Sequence, residues 1–167
     1  FLAVEEIERK NYAEAREILE QNLRNPDSSV DSASREKSAF EMGRVLLRLK
    51  DYGDASTHLK DFIRLYPENP NVVVVRVQLG ECFRELARKE MRNETEVVQR
   101  VQNTSSLEAK QQLNERRRHH RKVRADYLAE AIDAYLKVTE ELETRSNAQK
   151  LSRNEQMLLR RAWFGIG

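Results

Sequence analysis

The densest charge in the sequence is one basic segment, Arg116-Arg117-Arg118-His119-His120-Arg121-Lys122-Val123-Arg124. Clustered cations bind phosphate, so this segment could hold nucleic acid, an anionic lipid headgroup or an acidic protein. No aromatic residue is interleaved to stack on bases. If the chain folds back on itself, four upstream acids would neutralise part of the charge, namely Glu85, Glu90, Glu94 and Glu96. A solvated helix face is the favoured interpretation, and anion binding is the alternative.

The histidines and paired acids lack the spacing that metal binding or acid–base catalysis requires. His119 and His120 are adjacent and point to different sides of a helix, whereas helical metal sites use ligands on one face. The carboxylates of Glu5-Glu6 and Glu140-Glu141 diverge for the same reason. The sequence has no HExxH motif, no phosphate-binding glycine loop and no nucleophile elbow. We therefore expect no catalysis, no metal and no cofactor.

The single cysteine, Cys82, follows Gly80-Glu81 and precedes Phe83, at a position typical of a helix interior. We expect a buried structural thiol there rather than a nucleophile. One cysteine also excludes an intrachain disulfide, which fits a reducing compartment without requiring one.

The composition predicts one all-α domain. The 167 residues are 39% apolar and 35% charged, with only five Gly and three Pro, which favours long helices over sheets. A formal net charge of +2 gives no overall field that would attract nucleic acid or a membrane. The longest apolar run, residues 72–75, is far too short to cross a bilayer. Because the sequence starts with Phe1 in the middle of a helical pattern, we expect a piece of a longer protein.

The sequence contains an internal repeat, and this repeat predicts the helices that carry the residues described above. A small residue is followed nine positions later by Tyr and twelve positions later by Ala, first in Ala3, Tyr12 and Ala15 and again in Gly43, Tyr52 and Ala55. Small residues let two helices approach closely, and large residues fill the space around them. The spacing therefore predicts helical hairpins that bury one another's apolar faces.

The hydrophobic–small pair that opens the aligned pattern recurs at Leu79-Gly80 in a third repeat and at Ile166-Gly167 in a fourth. The second half of the third repeat comes much later in the chain, at Leu128, Ala131, Tyr135 and Val138. A last helix is expected to begin near Ser152, since Ser152 and Glu155 fit a capping box.

The second segment resembles the tetratricopeptide repeat nearly completely, through Gly43, Tyr52, Ala55, Leu59 and Pro67. The complete repeats lack the family's tryptophan. The resemblance implies an all-α, right-handed solenoid of helical hairpins that acts as a scaffold for protein or peptide partners. Repeats are expected at about 1–30, 36–69 and 72–142, with the start of a further repeat at about 153–167. A plain helical bundle is the alternative.

A narrower resemblance lies in Tyr66-Pro67, followed by Leu79-Gly80. This pattern is similar to the repeats of bacterial cell-envelope proteins, such as the lipoprotein of the outer-membrane β-barrel assembly machinery and the Tol-Pal-associated coordinator. It implies a location in the bacterial periplasm or cell envelope, with the cytoplasm as the alternative.

An insertion interrupts the third repeat. Gly80 and Ala131 are 51 positions apart, whereas 12 positions separate the matching residues of the other repeats, which leaves 39 extra residues. The turn-like stretch in this insertion is Asn103-Thr104-Ser105-Ser106. We expect both helices to extend into an antiparallel arm, about residues 88–124, that projects about 25–30 Å from the stack. Its apolar residues are sparse, so the arm is expected to fray unless a partner holds it. A disordered loop is the alternative.

By the same resemblance, the first helix of each hairpin lines a concave groove. The groove positions fall on Lys37, Phe40, Arg44, Leu47 and Arg48 in the second repeat, and on Val74, Val77, Glu81, Arg84 and Glu85 in the third. The cations of the second repeat could clamp an acidic side chain or a C-terminal carboxylate, and ordinary surface charge is the alternative. The asparagine of the clamp that binds chaperone tails is missing.

The sequence therefore predicts an interaction scaffold that binds protein or peptide through the groove, the arm or both. The alternative function is binding of nucleic acid or an anionic surface through the basic segment.

Overall fold

The computed structural model describes residues 2–24 and 32–167, and the regular structure within them is entirely helical. This confirms the all-α prediction. Residues 1 and 25–31 lie outside the described residues, and all of them except residue 31 belong to the first predicted repeat. The described helices are α1 (Leu2–Glu8), α2 (Tyr12–Arg24), α3 (Ser32–Arg48), α4 (Tyr52–Leu65), α5 (Val72–Gln102), α6 (Leu107–Ala148) and α7 (Arg153–Ile166).

Each helix packs on the next one along the chain, and α5 also contacts α3 and α7. The odd-numbered helices α3, α5 and α7 are therefore neighbours on one side of the molecule. None of the helices in the described ranges is both long enough and apolar enough to cross a membrane.

One spacing recurs in the even-numbered helices and forms the centre of the core. A buried alanine is followed four residues later by a buried larger side chain, as in Ala15 and Leu19, Ala55 and Leu59, and Ala131 and Tyr135. Residues four apart share one face of a helix, so each pair points into the same interface. The facing positions on α1, α3 and α5 are buried small residues, namely Ala3, Gly43 and Gly80.

The side chain of Tyr135 in α6 packs closely against both α5 and α7. A Cβ atom added to Gly80 of α5 would lie 2.7 Å from its ring, and one added to Gly165 of α7 would lie 2.3 Å from it. Only glycine permits so close an approach, because any larger residue would displace the ring. A Cβ added to Gly167, in contrast, would make an ordinary contact with the Trp163 carbonyl oxygen at 3.9 Å. The close contact is thus made by Gly165 and not by the glycine that the repeat spacing indicated.

The turn from α1 to α2 recurs between α3 and α4, forty residues later. Lys10 and Lys50 have positive φ angles of 64° and 59°. In each turn the backbone N–H of the lysine donates to the carbonyl three residues back. The N–H of the residue after the lysine donates to the carbonyl five residues before that residue. This is the Schellman pattern, which usually has glycine at the positive-φ position. The matching position after Gly80 is Ala87, which is helical and buried, so α5 continues where the other helices end.

Helices α5 and α6 form a long antiparallel hairpin of 31 and 42 residues. Arg76 near the start of α5 contacts Glu141, whereas Glu94 further along contacts Arg121. The turn falls at residues 103–106, as the sequence predicts.

Burial divides this hairpin into two parts. The proximal part, residues 72–87 and 127–148, contains the buried apolar residues of α6 and nearly all of those of α5. In the distal part, residues 88–102 and 107–126, Glu94 and Val97 are the buried residues.

Helices α6 and α7 both begin at a serine N-cap, and the start of α7 confirms the predicted capping box. The Ser106 hydroxyl accepts a hydrogen bond from the Ala109 N–H at the start of α6. At the start of α7, the Ser152 hydroxyl accepts from the Glu155 N–H, and the Glu155 carboxylate accepts from the Ser152 N–H. This capping box fixes where α7 begins and thus how it reaches Tyr135.

Candidate functional site

A groove of about 600 Å³ lies on the side of the molecule where α3, α5 and α7 are neighbours. Its lining consists of side chains from these three helices together with the first residue of α4: Arg44, Leu47, Arg48, Tyr52, Val74, Gln78, Glu81, Arg84, Glu85, Arg88 and Arg161. Seven of these residues were predicted as groove positions, namely Arg44, Leu47, Arg48, Val74, Glu81, Arg84 and Glu85. The odd-numbered helices thus bring together side chains that are up to 117 positions apart in sequence.

Three predicted groove residues lie elsewhere. Lys37 is exposed on α3 outside the groove lining, and Phe40 packs with its ring centre 6.0 Å from that of Phe62. Val77 is only 1% exposed and belongs to the core, so its prediction as a groove residue is wrong. Its neighbour Gln78 lines the groove instead, because one step along a helix turns the side chain by about 100°.

Four lining residues were missed by the sequence reasoning: Tyr52, Gln78, Arg88 and Arg161. Gln78 could have been found, since it lies four residues after Val74 on the same face of α5. Arg161 could not, because its place in the groove depends on how α7 packs against the preceding helices.

Positive charge dominates the groove, which has five arginines and two glutamates in its lining. Three of the arginines already have acidic partners. Arg44 Nη1 lies 2.9 Å from Glu41 Oε2, Arg88 pairs with Glu85, and Arg161 of α7 pairs with Glu81 of α5. Both lining glutamates are thus engaged.

Arg48 and Arg84 are the remaining cations. Arg48 makes no ion pair with any described residue and is exposed. Arg84 makes no ion pair with a described residue, and its guanidinium acts on the Tyr135 phenol by lowering the pKa of that group. Burial raises the pKa of the Tyr135 phenol, and this effect outweighs the opposing influence of the Arg84 guanidinium. The phenol therefore stays neutral at physiological pH and leaves the positive charge of Arg84 uncompensated.

Two polar side chains complete the groove. The Gln78 side-chain oxygen is buried and accepts no hydrogen bond within the described part of the chain. Burial raises the pKa of the Tyr52 phenol, and the nearby Glu85 carboxylate adds to this shift. Tyr52 is therefore a neutral phenol at the edge of a cationic groove.

The basic segment lies on the distal part of the hairpin, opposite the acids of α5. Glu94 accepts hydrogen bonds from Arg121 at 2.9 Å and from Arg124 at 3.1 Å, and Arg117 Nε lies 3.5 Å away. The Arg121 hydrogen bond, supported by the neighbouring arginines, holds the pKa of Glu94 below its ordinary value. One buried carboxylate thus binds three of the six cations of this segment.

The other residues of the basic segment face different directions. His120 Nδ1 lies 2.6 Å from Glu90 Oε2. Glu85 pairs with Arg88 rather than with this segment. Three cations are exposed and make no ion pair with a described residue, namely Arg116, Arg118 and Lys122.

Cys82 of α5 is fully buried in the hydrophobic core, and burial raises the pKa of its thiol to about 12. It is therefore a protonated core residue at neutral pH, as predicted. Among residues 2–24 and 32–167, no three His, Cys, Asp or Glu side chains converge in a way that could hold a metal ion.

Comparison with protein-family models and with curated proteins finds no match for this chain. The geometry of the groove and of the hairpin therefore carries the functional argument.

Proposed function

We propose that this chain is a tetratricopeptide-type interaction scaffold that binds a peptide or protein segment in the groove between α3, α5 and α7. The groove itself carries this proposal. It has a volume of about 600 Å³, is lined by side chains of three helices, and has more arginines than glutamates in its lining. Such a surface is suited to a chain-like partner, which can contact all three helices at once.

The recurring features of the fold support the repeat interpretation. The same turn follows α1 and α3, and the same spacing of a buried alanine and a buried larger residue recurs in α2, α4 and α6. In this proposal the distal part of the hairpin is an arm inserted into the third repeat, since α5 passes through Ala87 without a turn. A site in the bacterial cell envelope follows only from the resemblance of Tyr66-Pro67 and Leu79-Gly80 to envelope repeats.

Binding of nucleic acid or an anionic surface is the weaker proposal. Glu94 already contacts Arg117, Arg121 and Arg124 of the basic segment. Of the remaining exposed cations, Arg118 and Lys122 share one face of α6 and Arg116 lies on another, and no aromatic residue is interleaved among them for base stacking.

Charge reversal in the groove tests the scaffold. The double variant Arg44→Glu with Arg48→Glu should lose the partners that the wild-type chain captures from a native lysate, because both positions would then repel an acidic ligand. Quantitative mass spectrometry of the captured proteins measures this loss, and we expect at least a tenfold decrease for specific partners.

A matched control is available on the other surfaces of the molecule. Arg64 of α4 and Arg160 of α7 are exposed and do not line the groove. The variant Arg64→Glu with Arg160→Glu changes the net charge equally and should retain the partners. Equal capture by both double variants, with unchanged circular dichroism, would show that the groove is not the binding site.

A further inference from the structure

Three large apolar side chains form a stripe along the solvent-exposed side of α6. Leu128, Ile132 and Leu136 follow one another at intervals of four residues and are 42%, 38% and 41% exposed. Residues four apart are neighbours on one side of a helix, so the three side chains adjoin one another. A single exposed apolar residue is ordinary, whereas a continuous apolar stripe is stabilised when another surface covers it. The stripe therefore has the character of an interface.

Opposite charges lie at the two ends of this stripe. Two cations precede it and two acids follow it, namely Arg118 and Lys122, and Glu140 and Glu143. All four are exposed and make no ion pair with a described residue. Residues 18 positions apart are separated by about five helical turns and lie on the same side of a helix. Arg118 is therefore in line with Leu136, and Lys122 is in line with Glu140.

We propose that a second copy of this chain covers the stripe, with the two α6 helices packed antiparallel about a two-fold axis at Ile132. A two-fold interface brings the same patch of both copies together, so the patch must be complementary to itself. Leu128 lies four residues before Ile132, and Leu136 lies four residues after it. Leu128 of each copy then lies opposite Leu136 of the other, and Ile132 lies opposite its own counterpart.

The antiparallel direction follows from the charges at the ends of the stripe. Lys122 lies 10 residues before Ile132, whereas Glu140 and Glu143 lie 8 and 11 residues after it. In an antiparallel pair, the basic end of each copy therefore meets the acidic end of the other. A parallel pair would place cations against cations and acids against acids, which is unfavourable.

Small residues beside the stripe allow the two helices to approach closely. Ala125 and Ala129 are exposed and lie within one turn of Leu128. Helices that pack in this way cross at about 20° and diverge towards their ends. The long side chains of Arg118 and Glu143 suit these ends, because they can span the wider gap between the helices.

The groove stays open in such a dimer. Its lining comes from α3, α4, α5 and α7, and no residue of the α6 stripe belongs to it. Tyr135, which packs against α5 and α7, is buried on a different side of α6. This inference goes beyond the proposed function, since the dimer presents two grooves and can hold two segments of one partner with increased avidity.

Sedimentation equilibrium of the full chain at low salt measures the self-association. Over a concentration range of about 1 to 200 μM, dimers of the wild type should predominate at the upper end. A wild type that stays monomeric over the whole range would overturn the proposal, and the stripe would then be left for a different chain to cover.

A charge at the two-fold axis tests the position of the interface. Ile132→Glu places two carboxylates against each other and should weaken dimerisation at least about a hundredfold. The matched control Leu107→Glu changes an exposed apolar residue at the start of the same helix, outside the stripe, and should leave dimerisation unchanged. Circular dichroism should be unchanged in both variants. A dimer that survives Ile132→Glu, or that is lost equally in both variants, would contradict an interface at the stripe.

Exchange of the end charges tests the antiparallel direction. Arg118→Glu with Lys122→Glu makes both ends acidic, and Glu140→Lys with Glu143→Lys makes both ends basic. Each double variant alone should dimerise about tenfold more weakly than the wild type. A mixture of the two should form the mixed dimer, which native mass spectrometry detects when one variant is isotope-labelled.

The quadruple variant combines both exchanges in one chain. It should recover the association of the wild type, because each end again meets an end of opposite charge. A quadruple variant that dimerises as weakly as the double variants would overturn the antiparallel arrangement.

A further control separates the position of the charges from the net charge. Arg64→Glu with Arg160→Glu changes the net charge by the same amount as Arg118→Glu with Lys122→Glu, but on α4 and α7. This control should dimerise as the wild type does. A loss equal to that of Arg118→Glu with Lys122→Glu would assign the effect to net charge and overturn the role of the stripe's ends.

Discussion

The proximal and distal parts of the α5–α6 hairpin share two continuous helices but are stabilised differently. The proximal part is held by apolar burial around Tyr135, Val138 and Leu142, each at most 1% exposed. The distal part has few buried apolar residues and is joined mainly by the contacts of Glu94 and Glu90 with α6. The boundary lies near Ala87, where the other hairpins turn.

This difference indicates a gradient of local stability along the hairpin. Burial of large apolar surfaces stabilises a fold strongly and does not depend on exact geometry. A single ion pair near the surface, in contrast, adds little to the stability. Helix formation alone cannot compensate, because isolated helices are marginal in water. The proximal part should therefore open only with the whole stack, and the distal part should fray independently.

Truncation of Tyr135 should have the largest effect. Tyr135→Ala removes a ring that contacts α5 and α7 and should lower the free energy of unfolding by about 3–5 kcal/mol. Urea denaturation followed by circular dichroism measures the change. The control Leu113→Ala shortens a half-buried side chain of the distal part and should cost less than about 1 kcal/mol. Similar losses for both variants would contradict the gradient.

Adding a single methyl group at Gly80 should have an intermediate effect. The new Cβ would lie 2.7 Å from the Tyr135 ring, so Gly80→Ala should destabilise the fold by about 1–3 kcal/mol despite the better helix propensity of alanine.

Gly53 provides the matched control for this substitution. It is also helical, but no atom lies within 4 Å of an added Cβ. Gly53→Ala should therefore leave the stability unchanged or increase it by up to about 1 kcal/mol. Thermal denaturation measures the change in melting temperature of Gly80→Ala and Gly53→Ala. If both substitutions shift the melting temperature in the same direction, close approach to the Tyr135 ring is not the reason for glycine at position 80.

Neutralising Glu94 should have the smallest effect on the whole protein and act on the distal part. Glu94→Gln should reduce local stability by about 1 kcal/mol, because the arginines lose their ionised acceptor. Hydrogen exchange measured by mass spectrometry should then show about fivefold less protection in residues 88–102. The control Glu96→Gln alters an exposed acid of the same part and should change little.

The effect of Glu94 also has a defined dependence on pH. Its pKa in the folded protein lies below the ordinary value of 4.5, so its stabilisation is fully present above about that pH. As the pH falls through the lower folded pKa, the carboxyl becomes protonated and the advantage over Gln disappears. A difference between wild type and Glu94→Gln that grew on acidification would be inconsistent with this ion-pair cluster.

Features set by neighbouring residues were predictable from the sequence. The turn at residues 103–106 and the capping box of Ser152 and Glu155 depend on local hydrogen bonding, and both are present. The buried alanine at position 131 was recognisable because it matches Ala15 and Ala55 in spacing. Four of the six α5 residues that line the groove were expected from the resemblance to tetratricopeptide repeats.

Features set by the packing of distant segments were not predictable. The sequence offers four acids opposite the basic segment, but only the register of the hairpin selects Glu94 and Glu90. Arg161 joins the groove because Gly165 lets α7 approach Tyr135. The error at Val77 was a local one, since a shift of one residue exchanges the groove face for the core face of the helix.

The burial of Cys82 makes this chain well suited to site-specific labelling. The only cysteine of the sequence is fully buried, and its thiol pKa of about 12 leaves almost no thiolate to react at neutral pH. A second cysteine on the surface would therefore be the only reactive one in the folded protein. With Ser105→Cys at the exposed hairpin tip, a spin label or fluorophore could follow the distal part while Cys82 remains in place.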